Sequence, residues 1–551
     1  MNSIHGRTRW GRLAAIFGAA AISALQCLTL PAFAGFELPP GERITNLPAI
    51  PRNMPQKEAY ELYDPVIGRN FDIKNLWMRA DLRVRPEMRN NACFGLAQGA
   101  GGTCNSFGTR GTASGGGNKG NDMFVQQWMR LGIGYDLSPD VNFYVEIIDS
   151  ATWGGNGSAV NAGNAGDPLN HNGGVSGGGG NSGRLGVRAA YMLIRNLGDI
   201  QGLSVKVGRQ YVVFGNHSLF GHFDWANTGY SHDGVMFAYQ TKNWDSYFGW
   251  FRNSESDLGQ AAPVGSGAPN IAGTGAQDAQ RDADMFIFYN QIKMVPGMVI
   301  EPFYVLYSNR YGSADNAAQG LGTAKHSNQT RHMIGNRVEV RKGGFDFSNE
   351  IAWQFGQMGQ VGACAGEQKC LHINAWATRN WIGYTFYDTA WKTRLAFNLD
   401  YASGDSRNNT CTNGTNCKTA NTFENFFPTN HIHMGYMDVQ AWKNMLSPSV
   451  NLQARPSARD HIELWYTNLN LANSKDCWYR ASQGCYVFSN ANNTKTHIGD
   501  EIDVAYTRMF ADGKVALQAA YGTIFSGGYL TSTLNQTQNQ HWAYMSLWMN
   551  F

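Results

Sequence analysis

The chain has 551 residues, with 65 Gly, 13% aromatic and only 15% charged residues, and a formal net charge of +3. Arg7, Arg9 and Arg12 at the N-terminus account for that excess, so bases and acids balance in the rest, and the basic footprint of a nucleic-acid partner is excluded. Beyond the N-terminus no apolar run reaches the about 18 residues a membrane helix needs, whereas a β-barrel strand needs only about 10 with every second one apolar.

The three arginines precede an apolar stretch over 13–30 that ends in Ala32-Phe33-Ala34, the pattern of a secretory signal peptide over 1–34. Cys27 is a poor lipoprotein site, because the bulky Gln26 stands before it. Residues 35–75, with Pro39, Pro40, Pro48, Pro51 and Pro55 and no clear period, read as an extended periplasmic arm that could line or plug the periplasmic mouth of a channel.

From Leu76 the period becomes two. Over 76–85, Leu76, Met78, Ala80, Leu82 and Val84 share one face, and Trp77, Arg79, Asp81, Arg83 and Arg85 share the other. Further strands are expected at 122–137, 141–150, 184–195, 203–211, 233–241, 245–253, 283–292, 298–308, 331–341, 345–356, 372–382, 392–402, 448–455, 460–469, 498–508, 514–525 and 541–551. The connections alternate between short turns, such as Lys342-Gly343-Gly344 and Ala511-Asp512-Gly513, and long loops, such as the Gly-rich 151–183 and the stretch 403–447. The fold expected is all-β: one transmembrane antiparallel barrel over 76–551, of about 18 strands, with short periplasmic turns and long extracellular loops, in the Gram-negative outer membrane. The alternating last strand ends in Phe551, like the assembly signal of such barrels. A barrel of this size leaves an aqueous channel rather than a filled core, so function is expected in a polar lumen.

Eight cysteines outside the leader fall in close pairs within the long loops: Cys93-Cys104, Cys364-Cys370, Cys411-Cys417 and Cys477-Cys485. In an oxidising compartment these read as local disulfides. No Cys-x-x-Cys or haem-attachment motif occurs, and no cofactor is expected.

Strand parity sends Arg79, Arg83, Arg85, Arg130, Arg184, Arg188 and Lys206 into the lumen from the first five strands, and Arg337, Arg341, Arg394 and Arg455 from later ones. Inward acids are Asp81, Glu146, Glu339, Glu350, Asp400, Glu463 and Asp503. Arginine presents a permanently charged fork that meets carboxylates in two parallel hydrogen bonds, so the basic early wall favours anions. The plainer alternative is cross-strand pairing, as within Arg337, Glu339 and Arg341, which builds a rigid wall without a preferred solute. Trp128, Trp244, Trp250, Trp391, Trp542 and Trp548 read as girdle residues or lumen packing. His431, His433 and Asp438 invite a metal reading, but no third ligand stands at a set spacing, and two unrelated loop histidines are the simpler account. His217, Ser218, His222 and Asp224 offer no spacing that singles out a nucleophile with its base, and no enzyme is expected.

Two sets of ordered blocks then resemble the alginate-export outer-membrane porin family. The first is Val207-Gly208-Arg209-Gln210, Phe214-Gly215, Trp225-Ala226-Asn227 and Asp233-Gly234-Val235. The second is Tyr401-Ala402-Ser403-Gly404-Asp405, Thr422-Phe423, Phe427-Pro428-Thr429-Asn430-His431, Gly435-Tyr436-Met437-Asp438 and Trp442-Lys443-Asn444, continued by Asp476-Cys477-Trp478-Tyr479 and Gly499-Asp500-Glu501-Ile502-Asp503. The resemblance implies an eighteen-stranded monomeric barrel through which a polyuronate passes passively, with an Arg-rich constriction gated by acidic residues and mobile loops. Arg79, Arg130 and Arg188 carry over by chemistry and Arg209 by motif. Unbroken alternation would put Arg209 on the lipid face with Val205 and Val207, so it lies at the rim or follows a bulge at Gly208, and the motif favours the bulge. The Gly-rich loop 151–183 and the cysteine pairs depart from the family pattern.

The reading is a passive, anion-preferring outer-membrane channel for an acidic polysaccharide. Its partners would be outer-membrane lipid, an anionic solute or polyuronate, and a periplasmic export partner, with no nucleic acid. Its rivals are a non-conducting surface adhesin or receptor barrel, a general solute porin, and a sheath for an electron-carrying partner.

Overall fold

The structure is a computed structural model that describes residues 73–91, 122–153, 185–225, 229–254, 283–309, 329–358, 371–405, 419–479, 481, 493–533 and 538–550. The expected signal peptide, the arm before residue 73, Arg184 and seven of the eight paired cysteines lie outside these residues; of the eight, Cys477 is described.

Eighteen long strands alternate in direction: β1 (Leu76–Asn90), β2 (Asp122–Ser138), β3 (Val141–Thr152), β4 (Leu185–Ile194), β5 (Leu203–Gln210), β6 (His232–Gln240), β7 (Trp244–Ser254), β8 (Ala283–Ile292), β9 (Met298–Asn309), β10 (Gln329–Lys342), β11 (Phe345–Met358), β12 (Leu371–Thr385), β13 (Arg394–Ala402), β14 (Met445–Ser457), β15 (Asp460–Leu471), β16 (His497–Phe510), β17 (Val515–Ser526) and β18 (Gln540–Asn550). Each pairs with its neighbour in sequence, and β1 pairs with β18 through Asp81↔Asn550, Arg83↔Trp548 and Glu87↔Tyr544, so the sheet closes and no edge remains. A two-residue segment, Thr419–Ala420, adds a parallel contact to His372 and Ile373 at the top of β12.

Period-two alternation decides which face each residue takes. On β1, Met78 and Met88 are exposed to the outside while Asp81, Arg83, Arg85 and Glu87 are buried inside. Trp244, Trp250 and Trp391 lie exposed on the outer surface, whereas Trp128, Trp542 and Trp548 are buried in the lumen. Other exposed apolar side chains, among them Ile133, Phe248, Trp376, Phe397 and Val504, complete a lipid-compatible outer wall.

The strand register corrects two expectations. β1 runs on to Asn90 rather than stopping at Arg85, which brings Glu87 and Arg89 to the inner wall. The lumen is not polar throughout. Met236, Phe251, Met285, Ile287, Val305, Met333, Ala352, Ala375, Ala377 and Ala402 form an apolar inner face on β6–β13, packed against Phe214, Phe220, Phe423, Phe426, Phe427 and Trp442 from two loops. The barrel therefore holds a hydrophobic core where an open aqueous conduit was expected.

Candidate functional site

The two loops that fill the barrel are residues 211–225 with 229–231, after β5, and 421–444, before β14. Their aromatic side chains have apolar wall to bury, at roughly 25 cal/mol per Å² of apolar surface removed from water. Phe214 stacks on Tyr289 of β8 with centroids 4.3 Å apart, and Phe423 packs on Trp442. The loops are also joined to each other. Gly221 N–H donates to the Phe427 carbonyl at 2.8 Å, Phe427 N–H to Leu219 at 3.1 Å and Thr429 N–H to His217 at 2.9 Å, while Phe220 and Phe427 form a parallel bridge. Together they form one plug.

On one side the plug meets the basic wall. Arg83 donates to the carbonyls of Asp224 at 2.6 Å and Trp225 at 2.9 Å, and Arg85 donates to the Trp225 carbonyl at 2.7 Å. Arg130 reaches Asp224 Oδ2 at 2.8 Å, and Arg188 reaches Asp224 Oδ1 at 3.2 Å and the His222 carbonyl at 2.8 Å. Burial opposes ionisation of Asp224, but Arg130, then His222 and Arg188, outweigh it and hold the carboxyl below its ordinary range. Arg188 sits at a bulge, since the register between β3 and β4 passes from Glu146↔Ala189 to Ile147↔Val187 and leaves it unpaired. Gly229, at φ 64°, passes so close that an added Cβ would collide with Arg188 Nη2.

A column of flat groups crosses the plug. The Arg85 guanidinium lies 3.6 Å from the centroid of the Trp225 ring, His431 stacks on Trp225 at 3.6 Å and 3°, and Tyr436 follows at 5.1 Å. Tyr436 then donates its hydroxyl to Glu463 Oε2 on β15 at 2.5 Å. Beside it, the backbone N–H of Tyr436 donates to Asp503 at 3.2 Å and that of Met437 to Glu501 at 3.0 Å. The plug thus spans from a basic wall on β1–β4 to an acidic wall on β15–β16.

The expected lumen residues Arg79, Asp81, Arg83, Arg85, Arg130, Arg188, Lys206, Arg337, Glu339, Arg341, Glu350, Arg394 and Asp400 all lie on the inner wall, but in several small groups. Arg79 pairs with Asp81 at 2.8 Å, Arg394 with Asp346 at 2.6 Å, and Asp400 with Arg379 at 3.0 Å. Arg337 is held by Glu301 and Glu339, Arg341 also reaches Glu339, and Ser218 of the plug bonds Glu350. Lys206 stands 4.8 Å over the Tyr191 ring. Arg455 reaches only the exposed periplasmic end of β14. Much of the wall is therefore cross-strand pairing, and of the expected arginines that are described, Arg83, Arg85, Arg130 and Arg188 hydrogen-bond to the plug.

Arg209 is a correction. The registers of β4–β5 and β5–β6 run without a shift through Gly208, so no bulge turns it inward. It stays on the outer surface near the extracellular end of β5, 2.9 Å from the half-exposed Asp233. Charge at that rim avoids the hydrocarbon midplane, where it would cost about 2–4 kcal/mol.

Sequence parity does not name Glu87, Arg89, Glu301, Arg331, Arg379 and Glu501 on the wall, nor Trp225 and Tyr436 in the plug. His431 Nδ1 lies 2.8 Å from Asp438 Oδ2, while His433 Nε2 is bound to the Asn216 carbonyl, so the two histidines do not converge. Burial lowers the His431 pKa, with Asp438 opposing. Among the described residues no group of three ligands could hold a metal. Ser218 lies against Glu350 and Asn216, and His222 Nδ1 accepts the Asp224 N–H.

Residues 76–544 match the family described as alginate export. No curated protein matches in sequence. Similar solved structures include Pseudomonas aeruginosa OccK9 (OpdG), 10% identical over 87% of this chain and 99% of that chain with a TM-score of 0.48. Pseudomonas aeruginosa OccK8 (OprE) is 9% identical over 87% and 98%, with a TM-score of 0.47.

Proposed function

The chain belongs to the alginate-export family and is an outer-membrane channel, and from that premise we propose that it passes an acidic polysaccharide or other carboxylated solute passively, with a preference for anions. The observation that carries this reading is the convergence of Arg83, Arg85, Arg130 and Arg188 on one carboxylate, Asp224, and the carbonyls beside it. A site that binds a carboxylate of its own chain has the charge, the forked geometry and the burial to bind a solute's. In this reading the plugged state is the resting state, and a polyanion competes with Asp224 for the same arginines. The chain does no catalysis, works as a monomer delivered by its signal peptide, receives polymer from a periplasmic partner, and clips its outer loops with the four disulfides, including Cys477-Cys485.

The test is reversal-potential measurement in planar bilayers under a salt gradient, on the wild type and on Asp224→Ala. The expected result is anion selectivity that grows in the variant. A cation-selective pore, or no conductance from either, sinks the reading; the second outcome would favour a surface receptor barrel.

A further inference from the structure

We infer that the acidic wall of β15–β16 is a second recognition subsite, one that reads the hydroxyl groups of a polyhydroxylated carboxylate while the basic wall reads its carboxylates. This rests on the channel reading above and names the chemistry its solute must have.

The plug presents a different set of groups to each wall. To the arginines of the basic wall it offers acceptors, the Asp224 carboxylate and the carbonyls of His222, Asp224 and Trp225, while its Tyr211 and Ser231 hydroxyls donate to Glu146 and to the Arg188 carbonyl. To the acidic wall it offers only donors: the N–H groups of Tyr436 and Met437 and the Tyr436 hydroxyl. Between them lies the flat Trp225–His431 stack. A carboxylate on one edge, O–H or N–H donors on the other and a flat body between is the outline of a sugar acid. A polyanion without hydroxyls would bring Glu463, Glu501 and Asp503 no donors in place of those the plug supplies.

The wall also has hydrogen-bonding capacity that the plug leaves unused. Thr467 Oγ1 and Trp465 Nε1, both on β15, are buried and have no partner. They stand opposite Glu501 and Asp503 in the β15–β16 register. A buried hydroxyl and indole N–H left unpaired are costly, and a ligand carrying alternating donors and acceptors relieves that cost. The plug's approach is close: a Cβ added to Gly435, at φ 83°, would collide with Glu501 Oε1, so the backbone itself lies against this wall.

The test compares binding of oligogalacturonate and of polyacrylate matched in number of carboxylates, by calorimetry on the purified full-length barrel. The wild type should bind the hydroxylated polymer more tightly. In Glu501→Ala/Asp503→Ala, which removes the acceptors, that ratio should fall about tenfold, because the hydroxyls lose their partners. Thr467→Val, which alters no charge, should weaken oligogalacturonate alone. Equal binding of the two polymers by the wild type, or a ratio unchanged in both variants, overturns the subsite and leaves the anion channel intact. Binding of neither polymer overturns the channel reading and the subsite with it.

Discussion

Replacing Asp224 with Asn removes one charge from the plug and almost nothing else. The carboxylate lies 2.8 Å from Arg130 and 3.2 Å from Arg188, and all three side chains are buried or nearly so. Unit charges 4 Å apart interact by about 4 kcal/mol at an effective dielectric constant near 20, and removing one partner of a buried pair costs about 3–5 kcal/mol. The amide keeps one acceptor oxygen, and the carbonyl bonds from Arg83, Arg85 and Arg188 remain, so the low end, about 3 kcal/mol, is the expected loss from the plugged state. At about 1.4 kcal/mol per tenfold, the ratio of open to closed barrels should rise on the order of 100-fold. Single-channel recording in planar bilayers reads that ratio directly. The effect should persist in molar salt, since buried pairs are screened little. Arg130→Gln in the same background should add less than it does alone, because the two residues form one interaction. An open probability within about threefold of wild type, or an equal rise in the control Asp438→Asn, would refute the assignment of Asp224 as the plug's anchor.

Arg209→Gln should leave conductance and selectivity unchanged and cost less than about 1 kcal/mol, as expected for a rim pair whose partner is half exposed; a shifted reversal potential would return Arg209 to the lumen. Gly229→Ala should displace Arg188 and strain a backbone at φ 64°, destabilising the folded barrel by about 1–3 kcal/mol; an unshifted melting temperature would count against that contact. Burial pushes Asp476 up to about 6 against hydrogen bonds from Thr422 and the N–H groups of Asp405 and Cys477. Its folded value exceeds its unfolded one, so the folded loop holds the proton more tightly, and the stabilisation is greatest below about pH 4 and is lost as pH rises to about 6. Amide exchange near Asp476 should therefore be slower at pH 4 than at pH 7 after correction for the intrinsic rate, with Asp476→Asn flattening the difference; protection that rises with pH would contradict it.

Much of the barrel is legible in the sequence because a strand between lipid and lumen must alternate, and short and long connections must alternate with it. The period marks β1 only as far as Arg85, because Pro86 interrupts it. Pro86 lacks an N–H, and the ladder to β18 skips from Val84 to Glu87 while pairing with β2 continues. Arg379 escapes parity for another reason. Its inward companions Leu371, Ile373, Ala375 and Ala377 are apolar because they face the plug or loop contacts, so the usual polar-in signal is reversed there. At Arg209 simple alternation gives the correct face and the motif-based bulge does not; the bulge is at Arg188, one strand earlier. The plug cannot be derived from period, since it depends on contacts such as Arg83 to Trp225, 142 positions apart. Its one sequence sign is an excess of aromatics, Phe214, Phe220, Phe223 and Trp225, in a connection with no evident surface to cover.

The join between β1 and β18 has a bearing on assembly. The last strand to be made must find the first, and β1 reaches its final surroundings only when Trp225 and Trp542 are also in place, since Arg85 stacks on the first and Glu87 accepts the indole N–H of the second. Closing so long a loop of chain has an entropic cost that grows only slowly with length, but it must be met before the seam returns any contact. A plug already docked on β6–β16 offers β1 a surface to settle against, as a mandrel does for a rolled sheet. The same loops that close the conduit would then help to complete the cylinder around themselves.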